Sequence, residues 1–459
     1  MPFIEQQLTA NGVTEEGRHI VTEALYEIVT NDHVSSLAVN VASPESSGYA
    51  VGDTFRINAG TPVTVNGDDF HATGRVTALG SPETDGRVTA VEIISWGAYT
   101  ALPSQSPISS PEGTVLAIPT VTLTGAGDDN LVVDITTDTA KWTSDVYTPG
   151  SPFLPEWLVS SVKASNGATI GARSQLSGAN DGMRFTIGSS YSGILPWDGQ
   201  PGVPPTDTFY IGVPNQNPKI YVSTTERRVN MLVTDGTSKQ YMGAGLFIPF
   251  VDVASNYPFP AIIHGQATTV QSHNTVYSTS NRGIVHPIDF GALGCYQYRN
   301  NLSSEWYGIT DNNNQGADVC RAQIWPQQGT FTNYSFNYAP IPTGSSVIAG
   351  EMIPTVSDFP NMSFQEDLWF VADQASAVGP QGPAPLGIGG QLHFTTQAHI
   401  ISNQAGDAQM IGFVDGFEAV HGRGLTSFDE IQNQDGRRYI VFPDTQAADL
   451  TDWVAMEMI

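Results

Sequence analysis

The chain has 459 residues, and its 45 Asp and Glu against 18 Lys and Arg leave a formal charge of -27. So acidic a surface repels phosphate backbones and anionic membranes, which argues against nucleic-acid partners and favours solubility. Only 14% of residues are charged, yet 40% are hydrophobic and there are 46 glycines and 30 prolines. That is a turn-rich, β-leaning composition able to build cores, with length for about three domains.

The opening "MPFIEQQLTANG" has neither a basic region nor a long apolar run, so no secretory leader is expected. No window approaches the roughly 18 consecutive apolar residues of a membrane span, and no membrane insertion is expected. One helix is predicted next, in "TEEGRHIVTEALYEIVTND". Ile20, Val21, Ala24, Leu25, Ile28 and Val29 recur as a single stripe at a period of 3.6. Thr14 is placed to cap it, with Glu15 and Glu16 favourable to the helix dipole. The stripe must bury against a neighbouring copy or against the chain's own β structure.

After Asn31 the period changes to two. "VSSLAVNVA", "GDTFRINAG", "ATGRVTALG", "GRVTAVEIIS", "TVTLTG" and "NLVVDITTD" alternate apolar with polar residues, punctuated by Gly, Pro, Asn or Asp. No helix-length segment separates them, so the expectation is antiparallel sheet rather than βαβ units. The fold class is mainly β: multi-domain antiparallel sandwich or barrel-like domains with one N-terminal α-helix. The expected division is an arm and helix over 1–31, a small β domain over 32–103, and a Ser/Pro linker over 104–113. A larger β-rich part with long loops follows over 114–459, divided near 260 and at the Gly/Pro-rich 375–391.

Within that larger part, "ERRVNMLVTDGTSKQYMGAGLFIPFVDVASNYPFP" (226–260) reads as a hairpin closed by an Asp-Gly turn. Its second strand is expected over Tyr241–Phe250, ending in a proline-stiffened aromatic knuckle. Tyr241, Phe247, Phe250, Tyr257 and Phe259 are the candidate packing or interface anchors, an ordinary intramolecular core being the alternative. Arg227 and Arg228 are candidates for pairing with acidic neighbours in the sheet or across subunits, against an exposed pair of little energetic value.

Motifs for chemistry are sparse. No G-x-S-x-G elbow, P-loop or dinucleotide fingerprint occurs. Cys295 and Cys320 have no catalytic signature, and read as buried thiols or one disulfide. His393 and His399 would lie roughly 20 Å apart on a strand, too far to share an ion. "GAGDDN", with Asp128, Asp129 and Asn130, could wrap calcium but lacks the ligand spacing of an EF-hand and reads as a solvated turn. No catalytic residue, cofactor or metal is expected, and the chain is expected not to be an enzyme.

Three stretches carry a resemblance. "YAVGDTFRINAGTPVTV", "GRVTALG" and "GRVTAVEIISWGAYTALPS" (49–104) together look like a small β module of tailed-bacteriophage structural proteins. The Arg-Arg pair followed by Tyr241, "GLFIPF" and "YPFP" is similar to another virion pattern, and "RRYIVFPDTQAADLTDWVAMEMI" resembles the endings of such proteins. What the resemblance implies is a virion structural component assembling as a homo-oligomer and with other virion proteins, made in the host cytoplasm and placed in the tail tip or baseplate. A capsid-associated, neck or decoration protein is the alternative. A carbohydrate-binding receptor protein touching a host-surface glycan is a further alternative, with no sequence feature supporting it.

Overall fold

The computed structural model describes residues 3–9, 16–40, 46–80, 87–103, 114–148, 155–161, 169–175, 182–188, 209–211, 217–236, 239–250, 261–265, 292–293, 310–311, 321–325, 334–336, 392–393, 395–404, 407–420, 422, 424–433, 435–443 and 453–458. Among the described residues the fold is mainly β with a single helix, and its larger sheets are antiparallel apart from one short parallel pairing.

The first sheet runs in the order His33–Val39, Val132–Asp138, Thr114–Thr122, Thr54–Ile57, Thr73–Leu79, Val88–Ser95. It nearly closes into a barrel, because the chain leaving the last strand returns beside the first, with Val34 N–H donating to Trp96 C=O at 3.1 Å. Alternation aims Val34, Phe55, Ile57, Val76, Ile118, Val133 and Ile135 inward, where all are buried. Two of the six strands lie beyond the Ser/Pro stretch 104–113. The β unit expected to close at 103 is therefore completed by residues 114–138, since without them Thr54–Ile57 and His33–Val39 would each have an open edge.

Next comes a five-stranded meander: Trp142–Thr148, Glu156–Ser161, Thr169–Gln175, Gly182–Gly188, Phe209–Ile211. The helix, Glu16–Thr30, lies against these strands and against Lys219–Thr224. All six stripe residues are buried within the chain. Ile20, Val21, Leu25, Ile28 and Val29 thus each contribute about 1.5–3 kcal/mol, and no neighbouring copy is needed to cover them. Trp157 Nε1 donates to Thr22 C=O at 2.8 Å, and Tyr26 stacks on Tyr147 with centroids 4.0 Å apart. At the C-terminal end Asn31 Nδ2 donates to the Glu27 carbonyl at 2.9 Å, satisfying one of the carbonyls a helix leaves open.

The central sheet is ordered Phe3–Gln7, Lys219–Thr224, Arg228–Thr234, Lys239–Leu246, Ala261–Gly265, Arg321–Trp325. The expected hairpin is present, Thr234 pairing with Lys239, and Gly236 supplies φ +88° in the turn. Its second strand is shorter than the expected Tyr241–Phe250. It stops at Leu246, and Ile248–Pro249 crosses to pair with Phe413 and Gly412 of another sheet. Proline has no N–H for a ladder and is tolerated on such a short edge pairing.

That other sheet is eight-stranded and contains Tyr334–Phe336, Leu392–His393, Thr395–Gln404, Asp407–Val420, Glu430–Asn433, Arg438–Pro443 and Trp453–Glu457, with Ile248–Pro249. It packs against the central sheet through Tyr241, whose ring lies 5.4 Å from Phe417 and 5.2 Å from Phe442. Every residue of Arg228–Thr234 is buried. Its odd positions, Val229, Met231 and Val233, join the core that includes the helix, so its even positions face the C-terminal sheet.

Candidate functional site

Those even positions are Arg228, Asn230, Leu232 and Thr234, three polar residues and one leucine lying in a buried layer. A buried guanidinium needs paired charge and hydrogen bonds, and the C-terminal sheet provides them. Arg228 Nη2 donates to Glu457 Oε2 at 2.7 Å and its Nε lies 3.1 Å from Asp415 Oδ1. Nη1 donates to Ser223 Oγ at 3.1 Å. Asn230 Nδ2 donates to the Asp415 carbonyl at 3.1 Å.

One glycine makes room for this. A Cβ built on Gly416 would lie 2.1 Å from Arg228 Cζ, and Gly416 has φ +77°, which favours glycine. Pairing between Asp407–Val420 and Trp453–Glu457 spans only Phe417 to Val420. The guanidinium therefore lies over the bare backbone where the two strands part, and reaches Glu457 there. Arg437, largely exposed, closes the series with Nη1 3.2 Å from Glu457 Oε1.

A second polar group sits beside it in the same sheet. Glu418 Oε1 accepts from the Tyr439 hydroxyl at 2.9 Å, and Glu418 Oε2 accepts from Thr395 Oγ1. Asn433 Nδ2 donates to Thr395 Oγ1 at 3.2 Å and to the Tyr439 hydroxyl at 3.4 Å. Asn433 Oδ1 accepts the backbone N–H groups of Asp435 at 3.0 Å and Arg437 at 2.9 Å. Thr395, Asn433 and Tyr439 are all buried. Burial pushes the Glu418 carboxyl above the usual range, against the pull of the Thr395 and Tyr439 hydrogen bonds, and Glu457 adds to the rise. The Tyr439 phenol is raised as well, by burial first and then by Glu418.

A third group joins this sheet to the barrel. Arg75 Nη2 lies 2.6 Å from Glu92 and 3.2 Å from Glu430, while Arg438 lies 2.6 Å from Glu430 and 3.6 Å from Glu92. Arg438 Nη1 also donates to the Ile93 carbonyl at 3.2 Å. Glu430 is held below the usual carboxylate range: burial alone would raise it, but Arg438 and Arg75 together outweigh that.

Beside this quartet a cleft of about 390 Å³ is lined by Glu5, Lys219, Tyr221, Asp235, Phe428 and Glu430 among others. Lys219 pairs with Glu5 at 2.5 Å and sits 4.9 Å from the Tyr221 ring centre. Tyr221 stacks in turn on Phe428, with centroids 5.9 Å apart. Phe428 adopts φ +73°, uncommon for a bulky side chain, and its N–H is held by the Val441 carbonyl at 2.7 Å.

Several expectations resolve against this geometry. Tyr241 and Phe247 are fully buried within the chain, and Phe250 packs 6.1 Å from Phe413. Arg228 pairs with acidic neighbours of its own chain, and Arg227 Nη2 donates to the Phe247 carbonyl at 3.0 Å. Tyr257, Phe259, Cys295 and Cys320 lie outside the described residues. Asp128 and Asp129 are engaged locally: Asp128 accepts from Ser47 and Asn130, and Asp129 accepts the Thr122 N–H at 2.6 Å. Trp96, Trp142 and Trp157 are buried in the main core.

The Glu418 and Glu457 clusters are absent from the sequence reading. Their members are scattered from 223 to 457, and no spacing rule links them; an arginine and an asparagine alternating with apolar residues in "RRVNMLV" is the one local hint. Scanned against protein-family models and curated proteins, the chain matches no family model and no curated protein.

Proposed function

We propose that the chain is a non-enzymatic structural component of a tailed-phage virion, working in the tail tip or baseplate as a homo-oligomer with other virion proteins. The observation that supports this reading best is the use of buried charge. Arg228, Asp415 and Glu457 bind two sheets together, and all three are engaged with one another rather than presented in an open cleft. A part that transmits load within a particle needs rigid junctions of this kind between its layers. The virion resemblance of 49–104, 226–260 and 437–459 supplies the assignment to a particle.

The test is to purify virions of the phage that encodes the chain, separate heads from tails, and quantify the chain in each. Enrichment in tails at roughly three to twelve copies, as an axial ring would require, is the expected result. Tens to hundreds of copies with the heads would move it to a capsid, neck or decoration role. Absence from particles would overturn the reading.

A further inference from the structure

We propose that the folded chain joins Thr395 to Asn433 through an ester bond that it forms itself, clamping two strands of the C-terminal sheet covalently. The inference is independent of any virion role. It rests on three buried side chains, Thr395, Asn433 and Tyr439, and the half-buried Glu418, which together occupy every position an acyl transfer needs.

Thr395 Oγ1 is the nucleophile, and its proton is directed at Glu418 Oε2. Asn433 is the acyl donor: its amide nitrogen is 3.2 Å from Thr395 Oγ1, so the carboxamide carbon lies one bond beyond that contact. The Asn433 carbonyl oxygen takes two backbone N–H groups, those of Asp435 and Arg437. They also shape the turn, and the same pair would stabilise negative charge developing on that oxygen. The Tyr439 hydroxyl bridges the base and the leaving group, donating to Glu418 Oε1 at 2.9 Å and lying 3.4 Å from the amide nitrogen.

The step balances without a co-reactant. Thr395 loses its hydroxyl proton to Glu418 as the oxygen attacks the Asn433 carboxamide carbon. The proton then passes through the Tyr439 hydroxyl to the amide nitrogen, the C–N bond breaks, and ammonia leaves. One C–O bond replaces one C–N bond, and Glu418 and Tyr439 end as they began. Fixed geometry within a buried site supplies the proximity that makes so slow a reaction feasible, and a carboxylate raised by burial is a stronger base for it. Thr395 opens one strand and Asn433 ends another, so the bond would tie residues 38 positions apart at the edge where Leu392–His393 meets Gln432–Asn433 in parallel.

Intact-mass measurement of the folded wild-type chain, followed by peptide mapping, tests this. The expected result is a mass lower than the sequence mass by one ammonia, and a branched peptide joining residues 395 and 433 that hydroxylamine cleaves. Thr395→Val and Glu418→Gln should each restore the full sequence mass. A wild-type chain that keeps its full mass after long incubation overturns the proposal. So does an ammonia loss that maps elsewhere, for example to cyclisation at Asn66–Gly67. Bond formation in Glu418→Gln at the wild-type rate would remove Glu418 from its role as base.

Discussion

The C-terminal sheet meets the rest of the chain at two charged junctions that differ mainly in their access to water. At the central sheet, Arg228 and Glu457 are 2% and 4% exposed. At the barrel, Arg75, Glu92, Glu430 and Arg438 are 22–33% exposed. Both use arginines and carboxylates at similar distances. The buried junction cannot fall back on solvent if a partner is lost, whereas the outer one can, and salt screens it. One fixes which faces meet; the other adjusts how firmly the barrel is held.

The largest way to break that comparison is Arg228→Ala. Removing one partner of a buried ion pair strands Asp415 and Glu457, and the expected loss is about 3–5 kcal/mol in denaturant unfolding. A loss below about 1 kcal/mol, the range of an exposed pair, would show the junction to be no more buried in effect than the quartet.

A second effect comes from the barrel, where His33 is fully buried with Nδ1 2.7 Å from the Gly97 carbonyl. Burial lowers its pKa from 6.5 to about 4, partly offset by that hydrogen bond and by Asp138 and Asp32. A depressed folded pKa means stability is complete above the unfolded value and is lost as pH falls from 6.5 towards 4. The loss should reach about 3 kcal/mol. His33→Gln should flatten that part of a stability–pH curve, and an unchanged slope would assign it to other groups.

Gly416→Ala is expected to cost about 2–3 kcal/mol, combining a positive φ with displacement of the Arg228 guanidinium. In an Arg228→Met background most of the clash disappears, so the two changes should be strongly non-additive in a double-mutant cycle. Additive costs would mean that the guanidinium does not lie over Gly416.

The smallest effect is Arg438→Ala in the outer quartet. Partly exposed pairs are worth about 1 kcal/mol or less, and the cost should shrink further when unfolding is repeated at about 1 M salt. The same salt series on Arg228→Ala should change little. That contrast sharpens the difference between the two junctions.

The helix and the alternating strands were legible from the chain because they are local. Ile20 to Val29 recur at 3.6, and "GRVTALG" and "NLVVDITTD" alternate at 2, patterns that backbone geometry alone turns into faces. The hairpin was legible because Asp235-Gly236 can adopt its turn. The end of the small β unit was not, since a Ser/Pro stretch marks a change in composition while sheet membership is decided by partners across it. That Arg228 could pair with acidic neighbours in the sheet was legible, but not that its partners would be Asp415 and Glu457.

What the amino-acid sequence determined by itself is therefore the set of elements and which of their faces are apolar. Only the tertiary structure decided that the polar face of Arg228–Thr234 would be buried, because Asp415 and Glu457 arrive from strands nearly two hundred residues away or more. It also placed Thr395, Glu418, Asn433 and Tyr439 in one hydrogen-bonded group. Their approach depends on the register of separate strands, and register is set by the summed fit of whole faces, which no short stretch of sequence contains.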